Sequence, residues 1–495
     1  MEAFVQGLSA LASVSVLLGL LVGVVSGMLV GAFPGLTATM AVAVASSFTL
    51  TLDPQQGLAV LLGIYIAALF GDRVPAILVN TPGTPASIAS TFDGFPMAQQ
   101  GRAGVALAVS AIGSFVGGLV GIAVFALAAF PLAGFASRFG APEFFALVVF
   151  GLTMMVSVSG ASVLKGLIAG LVGLLVATVG LDPILGSPRY TFGSPQLQSG
   201  VAFIPVIIGL FGIAEVLDQF LTRGRERAEQ IVAQIGRSFP NAEERRRMPK
   251  PILIGSVIGS VIGAIPAAGG DIAGLISWDR AKRMSKNPEE FGKGSIEGLT
   301  ASDTANNAVV GGAMITTLAL GVPGDSVTAV LLGSMLIWGI QPGPDLFVED
   351  PALVYTIVGL MVLATVLALV LSFVRLKSVV KLLDLPRPLL WSGIVLFCAA
   401  GTFAVQNSLF DVWLMFGAGV VGLAFRRLGF PAGPVVLGLL LGPLAEANFR
   451  RTLIISDGPL DAFLGSPIAL LLLAFSALAV ILPILRSRRQ RSDGA

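Results

Sequence analysis

The chain has 495 residues, of which 55% are hydrophobic and 12% are charged, and its formal net charge is +2. Soluble domains are about 25% charged, so this composition excludes a soluble globule and indicates a polytopic membrane protein. The chain has no histidine, so the commonest general base and metal ligand are absent, and no enzymatic activity is expected. The nearly balanced charge indicates no nucleic-acid partner.

Apolar segments recur along almost the whole chain. The first lies at about 8–33 and has no basic residue before it, so it is interpreted as a membrane helix rather than a cleaved signal peptide. Pro and Gly interrupt several of the later ones, and the pattern predicts roughly 10–14 membrane segments. These later segments lie at about 57–80, 104–134, 142–160, 162–181, 201–221, 251–266, 305–321, 326–340, 351–374, 389–404, 408–425 and 466–485.

One long polar stretch divides the chain. It runs from Leu221 to Lys250 and carries eight of the 30 Lys and Arg residues, which places it in the cytoplasm because basic loops stay on that side. The sequence therefore predicts a first transmembrane repeat at 1–220, a cytoplasmic basic linker at 221–250, and a second transmembrane repeat with additional C-terminal helices at 251–495. A cytoplasmic C-terminus is predicted from the basic residues Arg486, Arg488, Arg489 and Arg491.

Two short patterns that combine apolar residues with Pro and Gly occur twice in the same order. Pro266 follows Pro34 by 232 residues, and Pro323 follows Pro82 by 241. Because Pro removes a backbone donor and Gly permits positive φ, we expect each pattern to unwind a helix in mid-membrane. The fold class is therefore all-α, with two homologous halves whose helices break at Pro34, Gly35, Pro82, Pro266, Gly269, Gly270 and Pro323.

These breaks predict where a ligand binds. Unwound backbone at membrane depth is tolerated only where it lines a cavity or is packed in protein. Thr84–Pro85 combines a good N-cap with a good first helical residue, so a half-helix restarts there with free N–H groups that attract anions. Gly324–Ser326 restarts a second half-helix in the same way. Interrupted helices at matching positions of two halves are typical of the binding site of a secondary transporter.

The substrate-binding candidates are the polar and backbone-exposing residues of two breaks. For the hydroxyl groups among them, a hydrogen bond to their own helix is the alternative. They are Asn80, Thr81, Gly83, Thr84, Ser87, Gly324, Asp325, Ser326 and Thr328.

A coupling cation needs oxygen ligands, and an intramembrane carboxylate is costly enough to be functional. The first candidate is Asp271, for which a helix-capping role is the alternative. The second is Asp303 with Asn306 and Asn307, since spacings of three and four residues place them on one helix face. The hypothesis is Na⁺ at Asp271 or Asp303, while Asp325 could serve either ligand or cation. Arg73, beside Asp72, is interpreted as an ion pair at a helix end rather than a substrate clamp.

At these residues the chain resembles the large membrane subunit of the tripartite tricarboxylate transporters, the TctA family. The resemblance implies a permease of the bacterial inner membrane that imports organic carboxylates by coupling to a Na⁺ or H⁺ gradient, with no other cofactor. It also implies two partners, a small four-helix membrane subunit and a periplasmic solute-binding protein. The matching motifs are Pro34–Thr39, Pro75–Thr84, Asp93–Met97, Gly101–Gly104, Gly269–Asp271, Ala305–Ala308 and Gly339–Pro344.

Two other functions are weighed against transport. An intramembrane aspartyl protease is suggested by Asp271 and Asp325, which each follow a Gly, but neither Ala268–Asp271 nor Val322–Asp325 matches the G-x-G-D motif of that chemistry. A passive channel would not need duplicated broken helices with intramembrane carboxylates, although the sequence leaves it open.

Overall fold

Helices make up most of the described structure. The computed structural model describes residues 2–33, 35–158, 162–182, 185–221, 237–266, 269–374, 387–455 and 459–492. Within these ranges the only sheet is an antiparallel pair of two-residue strands, β1 Gly180–Leu181 and β2 Pro188–Arg189. Six described helical stretches are long and apolar enough to cross a membrane, and seven shorter apolar helices accompany them. The predicted all-α polytopic class is confirmed.

In the described part of the first half of the chain there are eleven α-helices. A 3₁₀ turn, Pro85–Ser87, leads into α6, and a π-helical turn, Ile208–Ile213, joins α10 to α11. The helices are α1 Glu2–Ala10, α2 Val14–Ala32, α3 Ala38–Thr49, α4 Pro54–Gly71, α5 Arg73–Val79, α6 Ile88–Gln99, α7 Ala103–Ala136, α8 Ala141–Val158, α9 Val163–Ala177, α10 Phe203–Ile207 and α11 Ala214–Leu221.

Most of the predicted basic linker, at 222–236, lies outside the described residues, as does Pro34. The helices that follow are α12 Ala242–Arg246, α13 Pro249–Gly263, α14 Gly269–Met284, α15 Ile296–Leu320, α16 Ser326–Ile337, α17 Leu346–Glu349, α18 Pro351–Val374, α19 Arg387–Gln406, α20 Leu409–Leu428, α21 Gly433–Ile455, α22 Pro459–Leu464 and α23 Pro467–Ser492.

In the first half, glycines let α2 and α4 pack side by side in the same direction. A Cβ atom on Gly23 would lie 2.3 Å from the Val60 carbonyl oxygen, and one on Gly31 would lie 2.1 Å from that of Ala68. Any larger residue would push the two backbones apart. Small residues at such contacts are the usual basis of close helix packing in membranes, where no hydrophobic force drives helices together.

The second half contains the same kind of pair. A Cβ atom on Gly259 would lie 2.4 Å from the Ala305 carbonyl oxygen, and one on Gly263 would lie 2.3 Å from that of Val309, so α13 and α15 also run in the same direction. In addition, Lys250 at the start of α13 donates a hydrogen bond to the backbone carbonyl at the end of α14. Helices α13 and α14 therefore form a hairpin whose tip contains the Pro266 break.

The two pairs run in opposite directions. Asp72, just after α4, contacts Asn306 within α15, whereas Tyr65, earlier in α4, contacts Asp325, which follows α15. Residue numbers therefore fall along α4 as they rise along α15. An antiparallel arrangement of corresponding helix pairs is the inverted repeat of many secondary transporters, in which the binding site lies between the repeats near mid-membrane.

Candidate functional site

The break after α5 turns the chain back onto α4. Asn80 ends α5 in the left-handed conformation, at φ 52°, which Asn tolerates better than most residues. The Gly83 N–H then donates to the Asp72 carbonyl at 3.3 Å. A Cβ atom on Gly83 would lie 2.4 Å from the Gly31 carbonyl oxygen and 2.7 Å from the Asp72 Cα. Gly83 therefore allows the break to pack against helix backbone.

The break after α15 has the same shape. Gly321 ends the helix at φ 68°, and the Gly324 N–H donates to the Thr317 hydroxyl at 3.2 Å. A Cβ atom on Gly324 would lie 2.5 Å from the Ala313 Cα. In both halves the chain thus continues past the end of a helix and then turns back to pack against earlier helix residues. The next helix begins at that point.

Each restarted helix has a polar residue at its N-terminus. Thr84 and Ser87 exchange side-chain and backbone hydrogen bonds in a capping box, as do Asp325 and Thr328. The Thr37 hydroxyl accepts a hydrogen bond from a backbone N–H in the first turn of α3. Such caps fix where each helix begins.

Five helix N-termini meet at one cavity of about 480 Å³. Four of them, those of α3, α6, α14 and α16, follow the predicted breaks, and the fifth is that of α21, whose Gly433 and Pro434 line the cavity. The lining residues at the first four ends are Thr37, Ala38 and Thr39; Thr84, Pro85 and Ala86; Gly269 and Gly270; and Asp325, Ser326 and Val327. Because the end of each helix carries a partial positive charge and free N–H groups, this arrangement suits an anion.

Two further side chains complete the polar wall of the cavity. The Tyr65 hydroxyl donates a hydrogen bond to the Asp325 carboxylate. Asn306 is 2% exposed, and its Nδ2 donates to Asp72 Oδ2 at 3.4 Å. Its Oδ1 has no hydrogen-bond partner and lies 3.0 Å from where a Cβ on Gly270 would be. An unpaired acceptor therefore faces the N-terminus of α14.

A buried acidic cluster lies behind this wall. The Asp72 Oδ2 accepts the Thr84 hydroxyl at 2.6 Å, and the Asp303 Oδ1 accepts the Ser90 hydroxyl. Both aspartates are at most 2% exposed. The Asp303 Oδ2 has no direct hydrogen-bond partner, although the buried Arg73 charge acts on both aspartates and the Ser110 hydroxyl acts on Asp303. Such an oxygen fits a cation or a proton.

Contacts beside this cluster show what two residues singled out in the sequence, Asn307 and Arg73, do in the structure. Asn307 donates to the Ser114 hydroxyl of α7 at 2.8 Å and so holds α15 against α7 rather than facing the cavity. Arg73 is buried, and its Nη2 donates to the Ser372 hydroxyl of α18 at 2.8 Å. Its guanidinium is therefore directed toward α18. The described contacts include no direct salt bridge from Arg73 to Asp72, but the two buried charges attract each other.

The structure brings some of the predicted substrate residues to the cavity and places others behind it. Thr84, Asp325 and Ser326 line the cavity. Asn80 is exposed, and the Thr81 hydroxyl bonds its own backbone at Val79. The residues buried in the capping and packing contacts behind the wall are Gly83, Ser87, Gly324 and Thr328.

The predicted break residues likewise lie in several different places, and only some of them line the cavity. Gly269 and Gly270 line the cavity, with Gly269 at φ 62°. Gly35 has φ 91°, and a Cβ there would lie 2.8 Å from Gln219 Nε2. Pro266 lines a separate apolar cavity, and Pro82 and Pro323 lie in the two breaks that double back. The backbone of Asp271 is in α14, but its side chain lies outside the described residues.

Sequence reasoning missed three residues of the site. Thr37 and Thr39 lie beside the first break, and their proximity to Pro34–Gly35 was the available signal. Tyr65 is one of only three tyrosines in the chain and lies within an apolar helix. A polar hydroxyl in such a helix was the signal that could have found it.

An inverted repeat with a cavity between its halves is the arrangement of many secondary transporters. The family model described as "Tripartite tricarboxylate transporter TctA family" matches residues 17–437. The chain therefore belongs to the TctA family, the large membrane subunits of these transporters.

Two relatives from Agrobacterium vitis match the chain. An uncharacterized 52.8 kDa protein in the TAR-I ttuC' 3' region is 39% identical over 472 residues, which are 95% of this chain and 94% of that protein. An uncharacterized protein in the TAR-II ttuC' 3' region is 37% identical over 235 residues, which are 48% of this chain and 97% of that protein. No solved structure matches.

Proposed function

We propose that the chain imports organic carboxylates across the bacterial inner membrane by coupling them to a Na⁺ or H⁺ gradient. Its partners in this proposal are a small four-helix membrane subunit and a periplasmic solute-binding protein that delivers the substrate. The C-terminus is cytoplasmic. The observation that carries the proposal is the cavity where helix N-termini from both halves meet.

The helix N-termini supply a positive potential without a full positive charge, which would hold the substrate too tightly. An anion near a helix N-terminus gains roughly 0.3–1 kcal/mol, or up to ~2 kcal/mol when partly buried. The Asp325 carboxylate already accepts the Thr328 N–H at 2.7 Å, so the α16 end is largely neutralised and the other helix ends remain. Their sum supports reversible binding, which a transporter needs because it must also release its substrate.

The acidic cluster supports cation coupling. Asp72 and Asp303 are both buried, and Asn306 contacts the cluster through Nδ2 while it lines the substrate cavity. A Na⁺ ion or a proton at the unpaired Asp303 Oδ2 would relieve the cost of the buried charge. Asn306 would then transmit the occupancy of the cation site to the cavity wall.

A transport experiment tests this assignment. Proteoliposomes containing the transporter with its partner subunits would be given labelled malate or citrate, under a Na⁺ or H⁺ gradient and separately under counterflow conditions. Asp303→Asn should lose gradient-driven accumulation but keep counterflow, because it removes the coupling charge and leaves the cavity unchanged. Asp279→Asn, which alters an exposed carboxylate paired with Arg283, is the control.

Two outcomes would contradict the proposal. Gradient-driven accumulation by Asp303→Asn at the wild-type level would remove the cluster from coupling. Downhill flux without counterflow in the wild-type protein would indicate a channel.

A further inference from the structure

The carboxylate of Asp325 is the most unexpected group in a cavity that suits anions. It lies on the cavity wall, and its position is fixed from two sides. Its Oδ1 accepts the Thr328 N–H at 2.7 Å, and its Oδ2 accepts the Tyr65 hydroxyl. The side chain is therefore held at the cavity rather than free to turn away from a ligand.

The Asp325 carboxylate is an acceptor for a ligand. An ionised carboxylate has about four lone-pair sites and donates nothing. The Tyr65 hydroxyl donates its hydrogen bond to this carboxylate and the residue is 1% exposed, so it positions Asp325 rather than meeting the ligand itself.

The cavity therefore presents two kinds of partner to a ligand. The N-termini of α3, α6 and α14 offer N–H donors, which suit a carboxylate. The Asp325 carboxylate offers an acceptor, which suits a donor such as a hydroxyl group. A second carboxylate beside Asp325 would be repelled by a like charge in a site where little water screens it.

Resting on the proposed function, we infer that the substrate is a hydroxycarboxylate whose hydroxyl group is recognised by Asp325. Asp325 is then a specificity-determining residue, which favours hydroxylated acids over acids of equal charge that lack the hydroxyl group.

Two matched pairs of acids test this inference. Malate differs from succinate, and citrate from tricarballylate, by one hydroxyl group at an equal number of carboxylates. Each acid would compete with labelled malate or citrate for uptake into proteoliposomes containing the intact transporter. In the wild-type protein the hydroxylated member of a pair should compete roughly 10–100-fold better, the range of one charge-assisted hydrogen bond.

A conservative variant separates specificity from folding. Asp325→Asn keeps an N-cap of equal quality but removes the negative charge, so it should reduce the hydroxyl preference by about tenfold or more and improve competition by succinate and tricarballylate. Tyr65→Phe should change the preference in the same direction by less. Asp345→Asn, which changes an exposed carboxylate that is not part of the cavity lining, should leave the preference at the wild-type value.

The outcomes distinguish this inference from the proposed function. Equal competition by both members of each pair in the wild-type protein, or an unchanged ratio in Asp325→Asn, would overturn the role of Asp325 while leaving carboxylate transport intact. Failure of the wild-type transporter to take up either labelled acid under any gradient would overturn both.

Discussion

The Tyr65 hydroxyl in α4 donates a hydrogen bond to the Asp325 carboxylate at the start of α16, although the two residues are 260 positions apart in the chain. Tyr65 is 1% exposed. The bond joins a helix of the first half to a restarted helix of the second, at the wall of the cavity that both halves share. Any relative movement of the halves must either carry this pair along or break it.

The glycines of the two doubled-back breaks should not tolerate a Cβ atom. Gly83→Ala and Gly324→Ala would place that atom 2.7 Å and 2.5 Å from the Cα atoms of Asp72 and Ala313, so the break must move away from its helix. We expect each variant to reduce uptake by tenfold or more, since small displacements at a binding site are costly. Gly134→Ala, which meets nothing within 4 Å, is the control. Normal uptake by both variants would contradict the close packing of the breaks.

Asp93 connects α6 to the loop before α15. Its Oδ1 accepts the backbone N–H groups of Gly292 at 2.8 Å and Gly294 at 3.1 Å, and also that of Ser295 at 2.8 Å, while its Oδ2 accepts the Trp278 indole N–H at 2.7 Å. Asp93→Ala would leave these donors without an acceptor, at about 1–3 kcal/mol for each one that stays buried.

Thermal unfolding of the purified protein in detergent checks the role of Asp93. The midpoint should fall by several degrees in Asp93→Ala. It should stay close to the wild-type value in Asp279→Ala, because that carboxylate is half exposed and makes only a short-range pair within α14. Equal midpoints for the two variants would show that the Asp93 contacts contribute little.

Glu244 should make the stability of the polar region before α13 depend on pH. Burial favours a higher pKa for this carboxyl, but the Asn241 N–H and the charges of Arg102 and Arg237 outweigh it and hold the pKa below its ordinary value of 4.5. A lowered pKa stabilises the folded state above that value and loses the effect as the pH falls through the folded-state pKa.

Comparison with Glu244→Gln checks this pH dependence. The wild-type protein should resist limited proteolysis around α12 better than the variant near neutral pH. The difference should disappear below about pH 4. A difference that stays constant across this range would mean that the Glu244 charge is not responsible.

The basic residues of the linker predict that the segment between the two halves lies in the cytoplasm. In a Cys398→Ala background, a cysteine at the exposed Ser238 should react with an impermeant thiol reagent only after the inner membrane is permeabilised. Labelling in intact spheroplasts would place the linker outside and reverse the proposed orientation.

Hydropathy located the helices whose surfaces are uniformly apolar. The predicted segment at 104–134 is found as α7, Ala103–Ala136, and that at 351–374 is found as α18. Helices α6 and α21 were not predicted, because Asp93 and Pro96 interrupt the first and Glu446 and Arg450 the second. Those charges are satisfied by long-range contacts that hydropathy does not register.

The break residues were predictable because Pro and Gly act locally on the backbone. The roles of Tyr65 and Asp72 were not, since they depend on the antiparallel pairing of α4 with α15. Gly83 and Gly324 were expected to let the anion approach the backbone because they have no side chain. The structure instead packs them against the backbone of the preceding helices. Local chemistry thus indicated where the chain unwinds, and tertiary packing determines which of its groups face the cavity.

The central claim is that a carboxylate binds where the helix N-termini of both halves meet, and protection of introduced cysteines tests it most directly. In a Cys398→Ala background, Thr39→Cys and Ser326→Cys place one thiol from each half on the cavity wall. Malate or citrate should slow their reaction with an anionic thiosulfonate reagent in the detergent-solubilised transporter, whereas the corresponding amides should not, and a cysteine at Ser238 should react at the same rate throughout. Unchanged reaction rates at both cavity positions, in variants that still transport the acid, would contradict the claim.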